Sequence, residues 1–138
     1  MSTTCCSKQG DVMLLACSGG SNVGQLTNQA AVELTREGFG KMYCLAGLGG
    51  GLESFVKAAG DAARVLVLDG CAVGCAKAIM KNSNVPMTDY LVVTDLGVAK
   101  VKDQALAMTT QEIDAVKQAA RTCVAFVPST SGGCQCGS

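Results

Sequence analysis

Four cysteines stand at the ends of predicted strands, and their thiols are the groups of this chain best suited to chemistry. Cys17 follows the first hydrophobic run, Cys44 follows the second, and Cys71 and Cys75 follow the third. If these strands lie parallel in one sheet, the loops at their carboxyl ends share one edge. We therefore expect the four thiols to converge on a site for a soft metal or for sulfur chemistry.

The absence of histidine restricts the metal chemistry that is open to this chain. A metal ion must be held mostly by sulfur, with Asp or Glu oxygen as the minority donor. Four thiolates complete the tetrahedral coordination of zinc, and an iron–sulfur cluster uses the same ligands. Sequence does not separate these two. Asp69 is interpreted as a supplementary ligand, as an acceptor that orients the Cys71 loop, or as a turn residue.

Composition indicates one cytoplasmic domain. The chain has 138 residues, 49% hydrophobic and 16% charged, with zero formal net charge and no basic run, which argues against nucleic-acid binding. No segment reaches the roughly 18 apolar residues of a membrane span, and residues 1–10 lack the apolar stretch of a secretory signal. In a reducing cytosol the nine cysteines are expected to stay free for metals or redox chemistry. The low surface charge is compatible with a homodimer.

Strands and helices alternate along the chain. Hydrophobic runs predict strands at residues 11–16, 40–45, 64–69 and 89–94, and helical patterns cover 22–37, 52–59, 72–80 and 109–121. The last helix opens on a capping box, Thr109 to Glu112. Residues 123–127 are either its buried end or a fifth strand. The predicted fold is an α/β, three-layer open sheet of four or five mainly parallel strands with helices on both faces, Rossmann-like or flavodoxin-like.

The remaining cysteines fall outside this pattern. We predict a flexible segment at 1–10, a single metal-binding domain at 11–127 and a flexible tail at 128–138. The two end segments carry Cys5, Cys6, Cys134 and Cys136, which could deliver metal, add ligands, bind a second ion or simply be prone to oxidation. Cys123 is interpreted as a small buried hydrophobic residue. Lys77 and Lys100 fall near the functional edge, but most such lysines are solvated, and we do not assign them to the site.

The segment at residues 69–77, Asp-Gly-Cys-Ala-Val-Gly-Cys-Ala-Lys, resembles the signature of the DGC-domain family, which is described as zinc-binding. Residues 16–24, 44–47 and 93–100 resemble other blocks of that family, so the likeness spans about 11–100. The resemblance implies four chelating cysteines, which here are Cys17, Cys44, Cys71 and Cys75.

Three functions follow from these observations. The leading hypothesis is a small cytoplasmic protein that binds zinc, or an iron–sulfur centre, and acts in metal handling or as an accessory to redox metabolism. Its partners would be the metal ion and a protein partner or a second copy of the chain. The alternative is a sulfur-transfer or thiol redox enzyme with Cys17 or Cys71 as nucleophile. A third is a structural interaction module in which the cysteines can be replaced without consequence.

Overall fold

The computed structural model describes residues 12–125, which fold around one four-stranded sheet. Its strands are β1 (Val12–Ala16), β2 (Lys41–Met42), β3 (Arg64–Asp69) and β4 (Asp89–Val92). They are all parallel and lie in the order β2-β1-β3-β4. This is the order of the first four strands of a flavodoxin-like sheet, which confirms the predicted α/β fold. The predicted end segments lie outside the described residues.

Helices cover both faces of the sheet. They are α1 (Asn22–Arg36), α2 (Leu45–Gly49), α3 (Glu53–Asp61), α4 (Cys75–Asn82) and α5 (Thr110–Ala125), with one 3₁₀ turn at Val93–Leu96. Helices α1 and α5 pack together on one face, while α2, α3 and α4 cover the other. No helix within residues 12–125 is long and apolar enough to cross a membrane.

The central strand β3 shows why the core has two halves. Val65 and Val67 pack in the cluster under α3 and α4, whereas Leu66 and Leu68 pack in the cluster under α1 and α5. Successive side chains of a strand point to opposite faces, and a parallel sheet covered on both faces must bury both sets. The continuous aliphatic run of β3 therefore produces a strand that is buried from Val65 to its end at Asp69.

The structure departs from the sequence prediction mainly around the second strand. Strand β2 has only two residues, Lys41–Met42, and Cys44 already precedes α2, a helix that the glycine-rich sequence did not indicate. Glycine lowers helix propensity, so tertiary packing must stabilise this short helix. Gly47 allows that packing, because a Cβ there would lie 2.5 Å from the Phe55 ring.

Two further boundaries differ from the prediction. Helix α4 begins at Cys75 rather than at residue 72, because Gly74 adopts the left-handed conformation (φ 71°) at its N-cap. Helix α5 continues through Cys123 to Ala125, so this part of the described chain is the end of the helix and not a fifth strand. The predicted capping box is present: Glu112 N–H donates to Thr109 Oγ1 at 3.2 Å, and Thr109 N–H donates to Glu112 Oε2 at 2.9 Å.

Candidate functional site

A cavity of about 330 Å³ lies at the carboxyl edge of the sheet and is lined by three of the four predicted cysteines. Cys17 comes directly after β1, Cys71 follows β3, and Cys75 is the first residue of α4. Parallel strands and right-handed crossovers bring these ends together, as the sequence pattern indicated. The cavity wall is completed by the glycine-rich loop before α1 and by Lys100 and Lys102.

Cys17 is held by backbone and side-chain hydrogen bonds. Its N–H continues the β1–β3 ladder by donating to Leu68 O at 3.0 Å. Its half-buried Sγ accepts from the N–H of Gly70 at 3.3 Å and lies 3.6 Å from Thr27 Oγ1. The Thr27 hydroxyl hydrogen is directed to Gly24 O at 2.7 Å, which leaves Thr27 Oγ1 as an acceptor toward the Cys17 thiol.

The loops that carry Cys17 and Cys71 are in direct backbone contact. A Cβ at Gly70 would lie 2.7 Å from the nitrogen of Gly24, and a Cβ at Gly24 would lie 2.6 Å from the nitrogen of Gly19. Side chains at these two positions would force the segments apart. Glycine is therefore required here for close approach, and the approach places the Cys17 and Cys71 loops side by side.

Cys71 contacts a lysine that comes from a distant segment. Lys100 Nζ donates to Cys71 Sγ at 3.3 Å, with both groups near the surface. Lys100 belongs to the strap, which we define as residues 97–109, between the 3₁₀ turn and α5. An ammonium group at this distance stabilises negative charge on sulfur. Most lysines near such an edge are solvated, and nothing in the local sequence shows that Lys100 contacts a thiol.

Asn22 fixes the part of the strap that carries Lys100. Its side chain is 3% exposed and bonds to the residues on either side of Lys100: Nδ2 donates to Ala99 O at 2.9 Å, and Oδ1 accepts from Val101 N–H at 2.7 Å. The backbone of Asn22 adds a bond to Val101 O at 3.3 Å, and Ser21 forms an isolated bridge with Lys102. The amide side chain thus substitutes for a strand partner and positions Lys100 beside Cys71.

Asp69 orients the start of α4. Its carboxylate is 1% exposed and accepts from Ala76 N–H at 2.9 Å, Lys77 N–H at 3.0 Å and the Tyr90 hydroxyl at 2.8 Å. Of the three roles considered for Asp69, the structure shows the acceptor of backbone hydrogen bonds. Burial, followed by the bond to Asp69, raises the pKa of Tyr90, so this hydroxyl keeps its proton and remains a donor.

The four predicted metal ligands are only partly brought together. Cys17, Cys71 and Cys75 line the cavity, whereas Cys44 is exposed at the N-cap of α2 and does not line it. The half-buried Cys17 and Cys71 also pack on opposite faces of the sheet. Cys17 packs against the core under α3 and α4, and Cys71 packs against the core under α1 and α5. Among residues 12–125, no three His, Cys, Asp or Glu side chains lie close enough as they stand to hold a metal ion.

Cys123 lies on α5, away from the cavity lining. It packs against the core under α1 and α5, and its Sγ donates weakly to Tyr90 O at 3.9 Å. Burial raises the pKa of the Cys123 thiol. These properties match its interpretation as a small hydrophobic residue and make it a matched control for the cysteines of the cavity.

Comparison with known proteins agrees with the motif at the end of β3. The family model for the DGC domain matches residues 13–120. The chain belongs to the DGC-domain family. Its relative AnvM of Pseudomonas aeruginosa, named anaerobic and virulence modulator, is 38% identical over 88 residues, which cover 64% of this chain and 67% of AnvM. No solved structure matches the chain.

In this DGC-domain protein each residue of the family motif has a distinct structural part. Asp69 caps α4, Gly70 fits against the start of α1, and Cys71 presents its sulfur to the cavity. The functional residues that sequence reasoning missed are Asn22 and Lys100. Their partners are 77 to 79 and 29 residues away along the chain, and no local periodicity encodes such pairs.

Proposed function

We propose that this DGC-domain protein binds a thiophilic metal ion at the carboxyl edge of its sheet, with zinc as the leading candidate and an iron–sulfur centre as the alternative. The observation that supports this most directly is the shared cavity of Cys17, Cys71 and Cys75. Thiolates are the ligands that zinc and iron–sulfur centres prefer in proteins, and the chain has no histidine to replace them.

Metal binding in this proposal requires side chains to rotate, and the exposure of the donors permits it. Cys44 and Cys75 are exposed, so their thiols can turn without disturbing the core. Cys44 is the proposed fourth donor. It lies at the N-cap of α2, outside the cavity lining, and has to move toward the other three cysteines. Lys100 has to leave Cys71, which then exchanges one positive partner for another.

We place the protein in the cytoplasm, where a reducing environment keeps thiols free for metal. The relative AnvM is named as an anaerobic and virulence modulator, and a role in metal handling or as an accessory to redox metabolism is in keeping with that name. Both assignments belong to the proposal.

The test is metal and acid-labile sulfide analysis, with an absorption spectrum, on the full-length protein purified without oxygen. We expect about one zinc per chain and no visible absorbance. Iron with sulfide and a band near roughly 400 nm would instead identify the cluster. Cys71→Ser and Cys75→Ser should lose the metal, and Cys123→Ser should retain it. Protein that holds no metal after anaerobic purification and zinc or iron–sulfide reconstitution would refute the proposal.

A thiol enzyme for sulfur transfer or redox chemistry is the second candidate. It is favoured by the polar contacts of the two half-buried cysteines, Gly70 N–H to Cys17 and Lys100 Nζ to Cys71, because both residues also line the cavity that a substrate would enter. One comparison of wild type with cysteine variants distinguishes the metal-binding protein from the thiol enzyme. In a thiol enzyme, replacing the nucleophile by Cys71→Ser or Cys17→Ser removes the fast phase of exchange with a small disulfide such as glutathione disulfide, leaves slow exchange at the exposed Cys44 and Cys75, and leaves the metal content unchanged.

A further inference from the structure

The charged residues that line the cavity are equal in number but differ in their distance from Cys71. Lys100 and Lys102 line it, and the backbone on either side of Lys100 is fixed by the buried Asn22 side chain. Two carboxylates also line it. Asp69 is buried and accepts hydrogen bonds from the start of α4 and from Tyr90, whereas Lys100 contacts the sulfur of Cys71 directly, so the lysine is the charge nearest to that sulfur.

Hydrogen bonds fix the backbone on either side of Lys100, and this brings the lysine close to Cys71. Three bonds between Asn22 and the backbone of residues 99 and 101 hold the strap against the start of α1. A lysine side chain loses considerable conformational freedom when it is confined, and the contact with Cys71 Sγ at 3.3 Å has to offset that loss. The ammonium group of Lys100 therefore lies beside the sulfur of Cys71 at the wall of the cavity.

We propose that the cavity selects small anions that carry a thiol-reactive atom, with Lys100 as the residue that sets the charge preference and Asn22 as the residue that positions it. Lys102 adds to the preference, and Asp103 reduces it. A negatively charged compound gains attraction from the ammonium group as its reactive atom reaches the sulfur of Cys71. A neutral compound of the same size gains none.

This inference concerns the same cavity as the proposed function but does not require a bound metal. Its test is therefore run on metal-free protein, and it can fail while the metal proposal holds, or hold while the metal proposal fails.

The experiment compares alkylation by iodoacetate, which is anionic, with alkylation by iodoacetamide, which is neutral. Each reagent transfers its CH₂ group to a thiolate and releases iodide, so the ratio of the two rates does not depend on how much of the thiol is ionised. Rates are measured on reduced, full-length protein by peptide mass spectrometry with fragmentation that separates Cys71 from Cys75. Cys44, exposed and outside the cavity, is the reference thiol in the same sample.

We expect the iodoacetate preference at Cys71 to exceed that at Cys44 by about threefold to tenfold at moderate salt, from one unit charge a few ångströms away near a surface. Lys100→Gln should bring the two preferences close together, and Lys100→Arg should restore most of the difference. Asn22→Ala should lower the iodoacetate preference at Cys71 although Lys100 remains, and Asp103→Asn should raise that preference. Lys81→Gln, which removes an exposed lysine from the last turn of α4, is the matched control.

Two outcomes overturn the inference: equal preferences at Cys71 and Cys44 in the wild-type protein, or an unchanged preference in Lys100→Gln. Lys100 is exposed, so its replacement leaves the core intact. A far-ultraviolet circular dichroism spectrum checks this for each variant. The preference should also fall as salt is added, because screening weakens a surface charge.

Discussion

Replacing the buried carboxylate of Asp69 by an amide tests how the start of α4 is held. Asp69→Asn keeps the shape of the side chain but turns two acceptor oxygens into one acceptor and one NH₂ donor. The three present donors are Ala76 N–H, Lys77 N–H and the Tyr90 hydroxyl. Whichever way the amide is turned, its NH₂ group faces at least one of these donors, so at least one hydrogen bond is lost.

The size of the effect follows from those contacts. A hydrogen bond to a charged group contributes about 1.5–3 kcal/mol and a neutral one about 1 kcal/mol, so weakening two bonds costs about 1–4 kcal/mol. One buried donor left without a partner costs about 1–3 kcal/mol more. We expect Asp69→Asn to lower the free energy of unfolding by about 3 kcal/mol, which for a domain of this size corresponds to a fall in Tm of about 10 °C.

The assay is urea unfolding of the reduced, metal-free protein, followed by circular dichroism. Tyr90→Phe removes only one of the three donors and should cost about 1–2 kcal/mol. The double variant should cost less than the sum of the two single variants, because the groups share one network. Asp61→Asn, at an exposed ion pair with Lys57, should change stability by less than about 0.5 kcal/mol. A loss below about 0.5 kcal/mol for Asp69→Asn would refute the assignment of Asp69 as the residue that holds α4.

Three further perturbations probe other parts of the fold. Gly70→Ala should destabilise the protein by about 2 kcal/mol or more in urea unfolding, because the new Cβ would lie 2.7 Å from the nitrogen of Gly24. Gly60→Ala, in open space on α3, should be neutral or stabilising, and equal effects of the two substitutions would contradict the close approach of the two backbones at Gly70. Hydrogen bonds from Lys117 and Arg121 lower the pKa of Glu37, so the stabilisation that the ionised Glu37 provides is present at neutral pH and is lost as pH falls below about 4.5. The difference in unfolding free energy between wild type and Glu37→Gln should therefore shrink between pH 7 and pH 3, and a constant difference would argue against this role of Glu37. Thr109→Ala should cost about 1 kcal/mol by removing the cap of α5, with Thr110→Ala as the control; equal losses would place the effect elsewhere.

The sequence was most informative where one physical signal decided the outcome. The aliphatic run at residues 64–69 predicted β3 with its observed bounds, and the pattern of Thr109 to Glu112 predicted the start of α5. The family was recognised from the motif at residues 69–77, and the family match confirms it.

The sequence was least informative where contacts across the fold compete with local preference. Glycine-rich residues 45–49 form α2, which packs against α3 and α4, and the second strand is shorter than predicted; Cys44 follows it at the N-cap of α2 and does not line the cavity. The convergence of thiols was predicted from strand ends alone. The side on which each sulfur packs depends on which face of the sheet its residue meets, and strand ends do not determine that. Whether the four cysteines bind a metal together stays a prediction.

The interlocked glycines have a consequence for the thermodynamics of ligand binding. Because Gly24 and Gly70 leave no side chain between the start of α1 and the end of β3, the backbones that carry Cys17 and Cys71 are already ordered before a ligand arrives. A ligand that uses these two sulfurs therefore loses little affinity to backbone ordering. The entropic cost falls instead on Cys75, whose exposed side chain must give up rotamers, whereas Lys100 is already in contact with Cys71. Differences in affinity between ligands of this cavity should accordingly reflect whether each ligand immobilises Cys75 and whether it releases Lys100 from Cys71.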